Sequence, residues 1–252
     1  MELDLSILML LGLAGFAAGF VDSIAGGGGL ISIPALLATG MPPTMALATN
    51  KLQSSFGAFT ATLFFWRKGL IKLSTMKLPI FCTFIGSALG TLLVQRVDSG
   101  FLSQLLPFLL MAFAIYFLLS PRITNDDSER RLSHSAFALL IGTSVGFYDG
   151  FFGPGTGSFF AFAFVALAGF GLVKATAHTK LLNFTSNLAS LLFFTFAGQV
   201  LWSAGLVMAA GQILGARLGS TLVISQGTRL IKPLLVSVSM IICARLIWQQ
   251  YA

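Results

Sequence analysis

Four ionisable residues stand inside apolar stretches of this chain, and they form two matched pairs. Asp22 and Asp149 each close a Gly-Phe-x-Asp stretch, while Lys51 and Lys180 each sit in an Ala-x-x-Lys-Leu stretch. A Lys or Asp at the centre of a membrane helix costs about 2.5–3.5 kcal/mol on insertion scales, so four of them need a reason. One reason is packing: an Asp and a Lys within each half offset each other's burial. The other is chemistry: the lysines attract an anion, and the aspartates pair with them or carry a coupling proton. On a helix, Lys51, Ser54, Ala58 and Thr62 share one face, as do Lys180, Asn183, Asn187 and Ser190. Asn50 and Gln53 flank the first stripe, His178 and Thr179 the second. Small polar groups beside a cation suit the oxygen atoms of an anion, although such stripes also join helices in membranes.

Glycine runs supply a second anion device. Gly26-Gly27-Gly28-Gly29, followed by Pro34, interrupts the first apolar stretch, and Gly153-Pro154-Gly155-Thr156-Gly157 interrupts its counterpart. Irregular backbone survives at membrane depth only where protein buries it or it lines a cavity. The N–H groups of a half-helix start carry partial positive charge and hold oxyanions, which makes Gly27, Gly28, Gly155 and Thr156 candidate ligands. An ordinary surface turn is the alternative for each run.

The elements that must position these residues follow from composition. Of 252 residues, 56% are hydrophobic and 9% charged, against about 25% charged in soluble domains. Apolar runs fall at 5–21, 30–40, 44–66, 78–95, 101–119, 135–149, 156–170, 175–196, 201–223 and 230–248. At about 20 residues per crossing, this predicts an all-α polytopic membrane bundle of about eight full spans with broken or re-entrant helices. The chain reads as one transmembrane domain with two internal repeats, 5–119 and 135–248, joined by a cytoplasmic loop at 120–134. The Asp motifs and the glycines after them recur at an offset of 127, the Lys motifs at 129. Gly86 and Gly90 match Gly211 and Gly215 at 125, and Pro107 matches Pro233 at 126. Transporters built from such repeats bind cargo at the repeat interface, between interrupted helices.

The positive-inside rule separates two topologies. Five segments per half, N-terminus outside, put ten loop Lys and Arg residues inside and only Arg96 outside; four simple spans per half give seven against four. The first scheme makes the repeats inverted and the C-terminus external. A reporter fused after Ala252 should therefore be extracytoplasmic, and a cytoplasmic reporter would overturn the scheme.

Other classes fit poorly. The net charge of +7 comes from residues between apolar runs, where they set topology and meet anionic lipid, so nucleic acid is not an expected partner. Cys82 and Cys243 lie in separate runs without ligand-spaced neighbours, which gives no basis for a metal site or disulfide. The glycine run lacks a following Lys-Ser/Thr, so no phosphate-binding loop forms, and no cofactor is implied. Glu2 and Asp4 precede the first run where a cleaved signal would be basic. His178 titrates near neutrality and is a candidate proton carrier, but its repeat partner is Thr49. Ser158 with His178 suggests an intramembrane hydrolase, but the repeat partner of Ser158 is Ile31 and no second catalytic motif accompanies it; an enzyme is not expected.

The stretches Gly19 to Gly29, Pro34-Ala35-Leu36 and Ala46 to Gln53, together with Gly146 to Ser158 and Ala175 to Asn183, resemble the TauE/SafE family of sulfite exporters and toluenesulfonate-uptake permeases. The resemblance covers nearly the whole chain. It implies a multi-pass secondary transporter of the bacterial inner membrane for sulfite, sulfoacetate or other organosulfonates, with export favoured. The anion would lie at midplane between Lys51, Lys180 and the two breaks, with Asn50, Gln53, Thr179 and Asn183 donating hydrogen bonds. A coupling ion (H+ or Na+) and a homo-oligomer stay open as partners. An anion channel or an accessory membrane subunit is the alternative.

Overall fold

The computed structural model describes residues 3–98, 100–102, 108 and 127–226. The runs at 101–119 and 230–248, with Pro107, Pro233 and Cys243, fall almost wholly outside those residues. The described residues are helical, with no strand among them: α1 (Leu5–Ala25), α2 (Gly29–Leu37), α3 (Pro43–Arg67) and α4 (Leu73–Val94) come first. Then α5 (His134–Phe137) passes through a π turn, Ala138–Gly142, into α6 (Thr143–Phe151). Finally come α7 (Thr156–Ala166), α8 (Leu172–Phe196) and α9 (Trp202–Gln226). Three of these are both long and apolar enough to cross a bilayer: α1, α4 and α9, with mean hydropathies of 2.0, 1.7 and 1.4.

Burial is inverted relative to a soluble protein. Met9, Leu10 and Leu13 of α1, Phe81 and Leu89 of α4, and Leu214 and Leu218 of α9 are exposed, whereas Lys51 and Lys180 are among the largest fully buried side chains. Apolar outer faces suit hydrocarbon; the polar residues in the first two-thirds of α3 and α8, from Thr49 to Ser55 and from Thr176 to Ser190, are mostly buried. These two 25-residue helices pack against each other at the centre. Helix α1 lies along α9, and α6 lies along α4.

Those outer pairs approach closely because glycines line the seams. A Cβ at Gly86 or Gly90 of α4 would meet the backbone of Thr143 or Phe147 in α6, and one at Gly211 or Gly215 of α9 the backbone of Gly12 or Phe16 in α1. Without a hydrophobic drive between helices in lipid, such contact is what joins them. Gly150 of α6 faces the Ser87 carbonyl with no room for a methyl group. Gly150→Ala should therefore separate α4 from α6 and lower the unfolding temperature in detergent, whereas Gly198→Ser, at an open turn with φ +66, should lower it less, because only the left-handed backbone, at about 1–2 kcal/mol, opposes it.

A strap ahead of α5 is tied to the α7–α8 loop. Ser128 donates to the Gly169 carbonyl, and Arg131 and Leu132 donate to Leu167. Asp127 accepts from Gly171 N–H at 2.6 Å and from Lys174 at 2.9 Å. The Gly171 N–H, then the Lys174 ammonium, hold the Asp127 carboxyl below the usual carboxylate range. A depressed pKa contributes stability above the unfolded value, about 3.9, and loses it as pH falls through the folded value. Limited proteolysis of the strap should accordingly rise only at strongly acid pH.

Candidate functional site

The two glycine breaks are buried and touch each other. Helix α1 ends on Gly26 at φ +80, its N–H bonded to the Asp22 carbonyl. Helix α7 starts from Gly155 at φ +82. A Cβ on Gly26 would lie 2.5 Å from the carbonyl carbon of Gly157, so only a glycine lets these backbones meet. Ser158 Oγ reinforces the junction by donating to the Ala25 carbonyl. Helices α2 and α7, with 9 and 11 residues, rise only about 14–17 Å at 1.5 Å per residue and cannot cross about 30 Å of hydrocarbon. These are interruptions inside the protein, and the surface-turn alternative does not hold.

Each lysine reaches the opposite break. Lys51 Nζ of α3 donates to the Asp149 carbonyl and lies 3.0 Å from Asp149 Oδ1. Lys180 Nζ of α8 donates to the Asp22 carbonyl and lies 3.0 Å from Asp22 Oδ2. The packing expectation had paired Asp with Lys inside each half; the pairs instead cross between halves. The reason is that α3 and α8 adjoin at the centre, so each side chain extends past its neighbour to the far break. Burial is deep but unequal: side-chain exposure is 1% for both lysines, 4% for Asp149 and 21% for Asp22. Among the described residues the only other ion pair is the exposed Lys174–Asp127.

Between the breaks lies a polar cavity of about 20 Å³, walled by Asp22, Asn50, Ser54, Asp149, Asn183 and Asn187 with Gly26, Gly29, Gly153, Gly155, Thr156 and Gly157. That is room for about one water molecule. Asn50 Oδ1 accepts from Ser32 Oγ at 2.6 Å and from Gln53 Nε2 at 2.7 Å. Thr156 Oγ1 donates to Asp149 Oδ1 at 2.9 Å. Several buried oxygens have no partner among the described residues: Asp149 Oδ2, Asn183 Oδ1, Thr179 Oγ1 and Gln53 Oε1. Such atoms cost about 1–3 kcal/mol each and mark where a water, an ion or a substrate belongs.

The expected residues are only partly gathered here. Lys51 and Lys180 adjoin the breaks, and Asp22, Asp149, Asn50, Asn183, Gly155 and Thr156 line the cavity. Gln53 and Thr179 are buried beside it, and Gly27 and Gly28 stand back from it. The expected backbone donors are partly committed: Gly28 N–H points to Asp22 Oδ1 at 3.3 Å, and Thr156 N–H to the Gly153 carbonyl at 3.2 Å. His178 is elsewhere, its Nδ1 2.8 Å from the Lys174 carbonyl in the wall of a second cavity, and Ser158 and His178 do not pair. Ser32 was missed, although it is the single polar residue of α2. Ser54 and Asn187 were on the expected stripes and prove to face the cavity.

A family profile described as "Sulfite exporter TauE/SafE" matches residues 11–246. The chain is 50% identical to a "Probable membrane transporter protein" of Haemophilus influenzae, over 99% of this chain and 98% of that one. It is 53% identical to "Probable membrane transporter protein YfcA" of Escherichia coli strain K12, over 96% and 91%. A shorter match, 32% identical over 40% of this chain and 22% of the relative, is to "Sulfite exporter TauE/SafE family protein 5" of Arabidopsis thaliana. No solved structure matches. A profile spanning nearly the whole sequence, near-full-length bacterial relatives and apolar spanning helices agree: the chain belongs to the TauE/SafE family of multi-pass membrane transporters.

Proposed function

We propose that this protein is a secondary carrier of small sulfur-containing oxyanions, such as sulfite, sulfoacetate or other organosulfonates, across the bacterial inner membrane, with export favoured. The reading rests on one observation: two Lys–Asp pairs cross between the halves at glycine breaks around a shared polar cavity. An ammonium carries three N–H groups; each lysine uses two on its aspartate and keeps one for an oxyanion. The reciprocal pairing of α1 with α9 and α6 with α4 supports treating 5–119 and 135–248 as inverted repeats that rock about this centre. Rocking must widen a cavity of about 20 Å³ before an anion fits.

Two lysines and two aspartates cancel, so an added anion would leave uncompensated charge in a medium of low dielectric. A proton or Na+ entering with it removes that cost, and the unpartnered Asp149 Oδ2 is a seat for one. Without such coupling, the membrane potential alone supplies about 2.3 kcal/mol per charge per 100 mV and drives anions outward.

A thermal-shift screen of purified protein with sulfite, sulfate, thiosulfate, taurine and sulfoacetate tests the reading. At least one of the anions should raise the unfolding temperature of the parent and not of Lys51→Met or Lys180→Met. No shift with any, or an equal shift in the variants, would remove it. Saturable counterflow in proteoliposomes is expected of a carrier; non-saturating flux would mark a channel, and no flux an accessory subunit.

A further inference from the structure

A second cavity, of about 720 Å³, opens at the end of the bundle where α8 begins. Its wall includes Lys72, Lys77, Arg130 and Lys174 and, among the described residues, no carboxylate. Lys174 is paired with Asp127; the other three have no ion pair among the described residues. A concave site lined by one sign of charge, with low-dielectric walls, focuses its field and raises the local concentration of counter-ions. The innermost part is aromatic: His178 packs on Phe170 and Phe164 with ring centroids 4.8 and 5.6 Å apart.

Both cavities lie along the same two helices. Thr156 of α7 and Asn183 of α8 line the small one, and Phe164 of α7 and His178 of α8 the large one. His178 and Asn183 stand five positions apart on α8, a rise of about 7–8 Å. Between them along the helices lie the core residues Phe160 of α7 and Leu181 of α8, with Ile24 in the same cluster, and the buried Thr179 and Lys180 of α8. The matching region at the start of α3 is a filled core of Leu36, Met41, Ala46 and Met208, with Met45 where α8 has Lys174.

We propose that the large cavity is the vestibule through which small oxyanions reach the central site from one side, bound first by Lys72, Lys77 and Arg130. The Lys/Arg distribution assigns that side to the cytoplasm. This rests on the central cavity being the anion site.

The test uses full-length protein with Cys82 and Cys243 replaced by alanine, in phosphatidylcholine vesicles. A reporter thiol is placed on the vestibule wall as Ala168→Cys, with Ser74→Cys as a second position. It is labelled with the anion 2-sulfonatoethyl methanethiosulfonate or its trimethylammonium analogue. The anion should react at least about tenfold faster relative to the cation than it does with free cysteine. High salt and the triple variant Lys72→Gln/Lys77→Gln/Arg130→Gln should each abolish that preference. A deeper reporter, Asn187→Cys, should label from the same face only and lose labelling when Ala168→Trp fills the vestibule. Equal rates for both reagents, or a deep reporter indifferent to Ala168→Trp, would overturn the proposal. So would protection of Ala168→Cys by added phosphatidylglycerol, which would make the cavity a lipid headgroup site. Lys51→Met/Asp149→Leu should leave vestibule labelling unchanged, so failure of the central site and failure of the vestibule are read on different variants.

Discussion

Lys51→Met is expected to destabilise the protein by about 3–5 kcal/mol, because it leaves the Asp149 carboxylate buried without its cation. Asp149 is only 4% exposed in its side chain and keeps one hydrogen bond, from Thr156. Adding Asp149→Leu removes the stranded charge, and the double variant should return to within about 1–2 kcal/mol of the parent, since apolar replacement of a buried pair is often neutral. Sulfite flux into proteoliposomes should be absent from both. Stability and transport thus separate: the first responds to charge balance, the second to the missing ammonium. If the double variant carries sulfite at the parental rate, the lysines are braces between halves and the anion site fails. The counterpart Lys180→Met should cost less stability, because Asp22 is 21% exposed and water partly replaces the lost cation. Unfolding titrations in detergent measure both differences.

Gly26→Ala is expected to be comparably damaging, while Gly27→Ala, one residue along, is tolerated by the fold. At Gly26 the backbone is left-handed, which costs an alanine about 1–2 kcal/mol, and its methyl would lie 2.5 Å from the Gly157 backbone. Overlap in a packed interior adds about 1–3 kcal/mol through forced shifts. The expected consequence is separation of the two breaks and loss of the cavity between them. At Gly27 the nearest atom to an added methyl is Leu30 Cδ1 at 3.6 Å, an ordinary contact. Melting curves of the two variants decide this. Equal stabilities would mean that the breaks do not depend on touching.

Much of this was written in the chain. Among the described residues, eight of the expected apolar runs became helices within about five residues of their expected ends, because in lipid every backbone donor must bond within its own segment. Lys51, Lys180, Asp22 and Asp149 stood out because charge in an apolar run has an energetic cost that sequence alone makes visible. The glycine runs were legible as breaks for the same reason. Partnership was not legible. Whether Lys51 met Asp22 of its own half or Asp149 of the other depended on α3 and α8 lying side by side, and periodicity along one helix carries no information about its neighbour. The same limit hid the role of Ser32, which matters only because α2 folds back against Asn50. It also hid the basic vestibule, whose lysines and arginine come from three separated segments and looked in sequence like topology signals. Residue type and spacing determined what was expensive to bury; only the packing of the helices decided what each costly group was buried against.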